Sequence, residues 1–299
     1  MNKNIYTFFI FAVLLFAWGC NTPKHEDGKI LSVTIEPQKY FLEKIVGDRY
    51  IVNCIMSGNS NPESFDMSPM QVAAVSKSEA YFKTGLLAIE NQWFANIITN
   101  NPDIKLIDCS EGITPLGDHT CSEHDHSHDH GGEAHDHHGH AGVDPHIWSS
   151  PATAMKMANN MYKGMVQIDA DNKDYYTDNY NKLVAEINQT DSIIRSYVEK
   201  APSKSFIIYH PSLSYYAQQY GLNQYTIEKD GKQPSPTQLK ELIDTSNEGG
   251  VKVVFMQMEY DQKNAETIVK SINGRTVSIN LMAYEWNDEM VKIAKALVE

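Results

Sequence analysis

The sequence predicts an α/β protein built from two Rossmann-like lobes, each with a parallel sheet, joined by a long helix. Short β-rich runs alternate with helix-length segments from residue 30 to 109, and the alternation restarts at residue 206. Alternation of this kind is typical of parallel sheets covered by helices. Between the two series lies an amphipathic segment, about 171–199, whose apolar residues step by three and four. A chain of 299 residues is long enough for both lobes.

In the first series we expect strands at 30–36, 50–56, 80–84 and 104–109 and helices at 37–46, from 69 onward, 87–99 and 151–168. Pro37 and Pro69 suit the first turn of a helix, where a missing N–H costs nothing. Ser68 is placed to cap the helix that begins at Pro69, and Gly47 is placed to end the first helix.

In the second series we expect strands at 206–210, 251–255 and 276–279 and helices at 212–220, 237–248, 261–272 and 290–298. Gly221 closes the first of these helices, and Pro234 and Pro236 precede the next. Asp171 or Asn172 caps the long joining helix, which at 1.5 Å per residue spans roughly 40 Å. Such a helix either connects two lobes or packs on one of them.

The amino terminus resembles an export signal. Lys3 precedes an apolar run from Ile5 to Trp18 that is too short for a comfortable membrane span and ends in Gly19-Cys20. This arrangement resembles a bacterial lipoprotein signal with Cys20 as the lipidated residue; an ordinary signal peptide is the alternative. We expect a signal peptide at 1–20, a tether at 21–29, an N-terminal lobe at 30–168, a linking helix at 169–200 and a C-terminal lobe at 201–299. The mature protein would then be a membrane-anchored lipoprotein of the periplasm or cell envelope.

An acidic, histidine-rich segment interrupts the first lobe at 118–142, where we expect a disordered loop. Between residues 118 and 140 it has no Lys or Arg, and it offers nothing apolar to bury. Short His-rich tracts are typical of metal binding, although a solvated linker is the alternative. Cys121 adds a possible soft ligand or has no role, whereas Cys54 and Cys109 are expected to be buried. The candidate auxiliary ligands are His119, His124, His126, His128, His130, His135, His137, His138 and His140.

Four further candidate ligands follow predicted strands. Glu63 lies beyond the second strand and His146 beyond the fourth, while His210 ends the first strand of the second lobe and Asn280 follows the last. Ligands of open α/β sheets bind beyond the carboxyl ends of the strands, so the four are expected to face one another across a cleft. Two imidazoles and a carboxylate suit zinc.

Each candidate has a plainer interpretation. His146 could be a turn residue, His210 a buried core histidine and Glu63 a solvated loop acid. Asn280 is a weak ligand and better suited to hydrogen bonding behind the ligands. A net charge of −13 argues against nucleic acid as a partner and suits a cation.

The chain resembles the ZnuA-like zinc and manganese binding proteins of ABC importers. The residues that carry the resemblance are MSGNSNPESFD at 56–66, the His-rich insert, VDPHIW at 143–148, IIYHP at 207–211 with Tyr215 and YGL at 220–222, and QPSP at 233–236. The resemblance implies two lobes joined by a rigid helix, with a metal ion in the cleft that is handed to a membrane permease and its ATPase. The family pattern has Pro-His where this chain has Pro62-Glu63, and often Asp in place of Asn280.

We expect a monomeric protein, not an enzyme, that captures Zn²⁺ in the cleft, with Mn²⁺ as the alternative cargo. Fewer nitrogen ligands make the site more open to manganese or iron, whereas the His-rich loop favours zinc. Three alternatives remain: a zinc buffer that acts through the loop, a manganese- or iron-binding paralogue, and a zinc hydrolase that uses the same His₂Glu set. The hydrolase is disfavoured because the sequence has no His-Glu-x-x-His pair and no evident general base near His146 or His210.

Overall fold

The computed structural model describes residues 28–56, 58–117, 142–228, 232–258 and 263–299. The predicted signal peptide, Cys20, most of the tether and all nine auxiliary histidines lie outside these ranges, as does Cys121. Within them the fold class is as predicted: two four-stranded parallel sheets covered by helices. No helix within the described ranges is both long enough and apolar enough to cross a membrane.

The N-terminal lobe is a sheet of order β2-β1-β3-β4. Its strands are β1 Ile30–Val33, β2 Ile51–Cys54, β3 Ala80–Lys83 and β4 Lys105–Asp108, and its helices are α1 Glu36–Val46, α2 Pro69–Val75, α3 Ala88–Asn100 and α4 Pro151–Ile168. Ser68 caps α2 as predicted, since its side chain accepts the Gln71 N–H. Gly47 ends α1 at a φ of 58°, a conformation that favours glycine.

The C-terminal lobe repeats this plan with the order β6-β5-β7-β8. Its strands are β5 Ser205–Ile208, β6 Asn223–Thr226, β7 Val253–Gln257 and β8 Arg275–Ile279, and its helices are α6 Ser214–Tyr220, α7 Pro236–Glu248, α8 Lys263–Ile272 and α9 Trp286–Ala296. The structure differs from the expectations for this lobe in one additional strand and in the bounds of other elements. Strand β6 is polar, lies at the sheet edge and gave no apolar signal. Helix α9 begins at Trp286, not Met290, and β7 is shifted by two residues, so that it ends at Gln257.

The predicted long helix is α5, Lys173–Lys200, which contains 28 residues and spans about 42 Å. It packs against α1 and α4 of the N-terminal lobe and against α9 of the C-terminal lobe. Its buried face consists of Tyr176, Leu183, Ile187, Thr190, Ile194 and Val198. The helix therefore connects the two lobes instead of covering one of them.

Two buried tryptophans also join the lobes. Trp148 Nε1 donates to the Leu281 carbonyl at 2.9 Å, and Trp286 Nε1 donates to the Trp148 carbonyl at 2.6 Å. The Tyr215 hydroxyl of α6 donates to the Asp144 carbonyl at 2.9 Å. Because buried donors that lose their acceptors are costly, these bonds hold residues 144–148 in place against the C-terminal lobe.

Candidate metal centre

Glu63 reaches the site from the loop between β2 and α2. Its backbone N–H donates to Asn61 Oδ1 at 2.9 Å, and Pro62 beside it is buried. Two residues on, the Phe65 ring packs edge-on against Trp93 at 5.9 Å between centroids. The loop is thus held by contacts that do not involve the Glu63 carboxylate, whose side chain is 39% exposed.

His146 lies three residues after Val143, where the His-rich segment rejoins the N-terminal lobe. Gly117 and Val143 form an isolated antiparallel bridge, so the two ends of that segment are held together just before the Asp-Pro-His turn. The buried Asp144 carboxylate oxygen Oδ1 accepts the His146 backbone N–H and lies 2.9 Å from Nδ1. An imidazole that donates from Nδ1 presents Nε2 to a metal.

His210 lies two residues beyond β5; the expectation that it ends the strand was wrong by that margin. The buried Gln257 side chain holds its backbone from both sides, donating to the His210 carbonyl at 2.7 Å and accepting its N–H at 3.3 Å. Glu228, just beyond β6, lies 3.4 Å from His210 Nδ1. The second imidazole is therefore supported by a carboxylate in the same way as the first.

The structure brings Glu63, His146 and His210 together, with one ligand atom from each lying within 4.8 Å of the others. Glu63 Oε1 is 3.3 Å from His210 Nε2 and 4.0 Å from His146 Nε2. Two imidazoles and a carboxylate converging from two lobes form a set that suits Zn²⁺ and also accommodates Mn²⁺.

Asn280 is differently engaged. Its Oδ1 accepts the Met282 backbone N–H at 3.0 Å, and its own N–H donates to Glu289 at 2.7 Å. The amide oxygen thus already stabilises the loop after β8, which fits a supporting role better than direct ligation. Ligation by Asn280 stays a prediction.

Two acidic residues of the site, Asp144 and Glu228, were missed by the sequence reasoning, which found no evident base near the histidines. Asp144 could have been noticed, since it lies two residues before His146. Glu228 is 18 residues from His210 and follows the strand that gave no signal. Both carboxylates face Nδ1 of an imidazole, so their role is to orient the histidines.

The two carboxylates beside His210 control its protonation. Burial alone would lower the pKa of His210, but the hydrogen bonds to Glu228 and Glu63 outweigh it and raise the pKa to about 10. Without metal, His210 is therefore cationic at neutral pH and bridges the two carboxylates. A metal ion must displace this proton before it can bind Nε2.

The two cysteines in the described ranges differ in burial. Cys109 is buried as expected, and burial raises the pKa of its thiol well above the ordinary range. Cys54 was expected to be buried and is only half-buried, because β2 is an edge strand.

This chain is similar to known proteins in both sequence and fold. A family model described as "Zinc-uptake complex component A periplasmic" (ZnuA) matches residues 32–299. The high-affinity zinc uptake system protein ZnuA of Bacillus subtilis is 28% identical over 260 residues, which cover 83% of this chain and 77% of that protein. The zinc-binding lipoprotein AdcA of Streptococcus pneumoniae is 24% identical over 277 residues, and the chain spans about half of its length (52%). The manganese-binding lipoprotein MntA of Halalkalibacterium halodurans is 23% identical, covering 90% of this chain and 85% of that protein.

Solved structures agree with the family match. A crystal structure of ZnuA superposes with a TM-score of 0.80 at 32% identity, covering 91% of this chain and 98% of that chain. A zinc-bound deletion mutant of ZnuA superposes with a TM-score of 0.79 at 33% identity, with coverages of 91% and 97%. The chain therefore belongs to the ZnuA family, whose members are metal-binding components of uptake systems and not enzymes.

Proposed function

We propose that this protein captures Zn²⁺ outside the cytoplasm in the cleft between its lobes and delivers it to the permease of an ABC importer. The observation that carries the proposal is the convergence of Glu63, His146 and His210 within 4.8 Å, with each histidine supported by a carboxylate. Family membership supplies the transport role, and the names of relatives include both zinc and manganese. Titration calorimetry of the mature chain with Zn²⁺ and Mn²⁺ tests the proposal: one tight site with zinc preferred supports it.

The choice of zinc over manganese follows from the ligand types. Imidazole nitrogen suits zinc, whereas manganese prefers carboxylate and water oxygen. Of the three converging groups, two are imidazoles whose Nε2 atoms face Glu63. Manganese bound more tightly than zinc under matched conditions would contradict this part of the proposal.

We further infer that the protein is a monomer with an N-terminal lobe at 30–168, a linking helix at 169–200 and a C-terminal lobe at 201–299. We also infer that Cys20 carries a lipid that anchors the protein to a membrane. The signal-like residues 1–20 support the anchor, as do the lipoprotein names of two relatives. Mass spectrometry of the membrane-extracted protein would detect the lipid on Cys20.

The alternative of a zinc buffer acting through the His-rich loop leads to a first prediction. Excising residues 121–140 should remove several weak metal equivalents and leave one tight site. The bridge between Gly117 and Val143 already holds the ends of the segment together, so a short linker can replace the excised residues without moving His146. Calorimetry counts the zinc sites in the parent and in the variant that lacks residues 121–140. If the tight site disappears with the loop, the protein acts as a zinc buffer.

The raised pKa of His210 leads to a second prediction, on pH. Because His210 is protonated below a pKa of about 10, zinc binding at pH 7 should release about one proton from it. Affinity should then rise by about tenfold per pH unit and continue to rise above pH 7, past the range of an ordinary histidine. Calorimetry in two buffers of different ionisation enthalpy measures the released protons.

The control for this prediction is Glu228→Gln, which removes one of the two carboxylates that stabilise the His210 cation. Fewer protons should then be released at pH 7, because the pKa of His210 falls. An affinity that levels off near pH 7 in the parent would contradict the prediction.

A further inference from the structure

Helices α2 and α3 present an uncharged surface in a strongly acidic protein. The chain has a net charge of −13, yet these two fully described helices contain one charged residue, Glu90, which is only 3% exposed. Their exposed side chains are small, amide or apolar, and include Met70 and Phe94, which are 80% and 37% exposed. Depletion of charge around exposed apolar side chains distinguishes interface cores from ordinary protein surface.

This surface adjoins the exposed member of the metal centre. Helix α2 begins directly after the loop that carries Glu63, and the Gln71 side chain ties it to the Ile55 carbonyl at 2.7 Å. The same loop reaches α3 through the contact of Phe65 with Trp93. A partner that covers α2 would therefore lie next to Glu63, the group through which the centre is open to solvent.

The C-terminal lobe offers a matching residue. Met258 is 58% exposed and directly follows Gln257, the side chain that holds the His210 backbone. Met258 follows β7, and Met70 lies in the segment that follows β2, so both lie beyond the carboxyl ends of parallel strands. Each lobe thus exposes one methionine beside an element that positions a candidate ligand.

We propose that Met70 and Met258 are the apolar contacts through which the two lobes dock on the importer's permease, which then covers the mouth of the cleft. This inference rests on the proposed function, because an uptake system is what supplies the partner. A permease must lie where the ion leaves. Met70 lies in the first turn of the helix that follows the Glu63 loop, and Met258 is next to the residue that holds the His210 backbone. Methionine makes adaptable apolar contacts without charge, which suits a partner that is bound and released in each cycle.

The test compares Met70→Glu/Met258→Glu with the matched control Ile51→Glu. Ile51 is a large apolar side chain that is 41% exposed. It is the first residue of β2, so it lies at the amino ends of the parallel strands, away from the carboxyl ends that carry the candidate ligands. Each full-length variant replaces the parent in cells, and uptake of radioactive Zn²⁺ is measured at equal protein abundance. Zn²⁺ affinity of the purified variants is measured in parallel.

We expect the double variant to bind Zn²⁺ like the parent but to reduce uptake at least about tenfold, because charge is introduced into an apolar contact, whereas Ile51→Glu behaves like the parent. Parental uptake by the double variant would overturn the inference. A parent that sediments as a dimer and a double variant that sediments as a monomer would also overturn it, because the partner of this surface would then be a second copy of the chain. Loss of binding to protein-free vesicles by the double variant would overturn it as well, because the partner would then be lipid. If Glu63→Gln weakens zinc binding as expected yet leaves uptake unchanged at Zn²⁺ concentrations that do not saturate this variant, the proposed function itself fails.

Discussion

Replacing His210 with alanine is expected to weaken Zn²⁺ binding in the cleft by about 100-fold. Structural zinc sites gain roughly 10–16 kcal/mol from about four ligands, so one ligand contributes about 3 kcal/mol, and each 1.4 kcal/mol is tenfold in affinity. His210 is the candidate ligand that the C-terminal lobe contributes to the converging group, so its loss should also remove the attraction of the ion for that lobe. Competition with a chelator of known affinity measures the change.

The substitution also affects the metal-free protein. Protonated His210 lies between two carboxylates, with Nε2 3.3 Å from Glu63 Oε1 and Nδ1 3.4 Å from Glu228 Oε1. Alanine would leave the two carboxylates without this cation. The free energy of unfolding should therefore be lower in the variant, and urea unfolding at pH 7 checks this. Because the pKa of His210 is raised above its unfolded value, the difference should be largest below pH 6.5 and vanish as pH rises through about 10.

Asn280→Ala is the control for His210→Ala. The Asn280 amide oxygen already accepts the Met282 N–H, so its removal should leave zinc affinity within a few-fold of the parent. Equal losses in both variants would assign Asn280 to the ligand set, and parental affinity in His210→Ala would remove His210 from it.

Replacing Glu63 with glutamine is expected to weaken the site by about 10- to 100-fold, since the shape is retained while the negative charge opposite the metal is lost. The loop should keep its structure, because Asn61, Pro62 and Phe65 hold it without the carboxylate. Glu63→His should retain binding and shift preference from manganese towards zinc, because imidazole replaces a carboxylate oxygen. Calorimetry with both ions gives affinity and selectivity together.

Asp66→Asn is the matched control for Glu63→Gln. Asp66 is an exposed carboxylate three residues further along the same loop, and it is not part of the converging group. If Asp66→Asn weakens binding while Glu63→Gln does not, the acidic ligand has been assigned to the wrong residue.

Much of the fold was predictable because its signals are local. Ser150-Pro151 begins α4, and the helix runs to Ile168 as predicted, while Ser68-Pro69 likewise begins α2. The α/β alternation needs only apolar runs and caps within each segment. The approach of His146 to His210 was predictable because the carboxyl ends of parallel strands lie at the same end of a sheet, whatever the details of packing.

What only the tertiary structure decided is how distant segments meet. Strand β6 forms because β5 offers it an edge, not because Asn223–Thr226 is apolar, and with it Glu228 comes to His210. Gln257 reaches the His210 backbone only because β5 and β7 are neighbours in the sheet. These pairings join residues 18 and 47 positions apart, and their energy arises from burial and hydrogen bonds that exist only after the lobe has folded. The sequence alone therefore determined which residues are candidate ligands, whereas the packing of the sheets determined how those residues are oriented and charged.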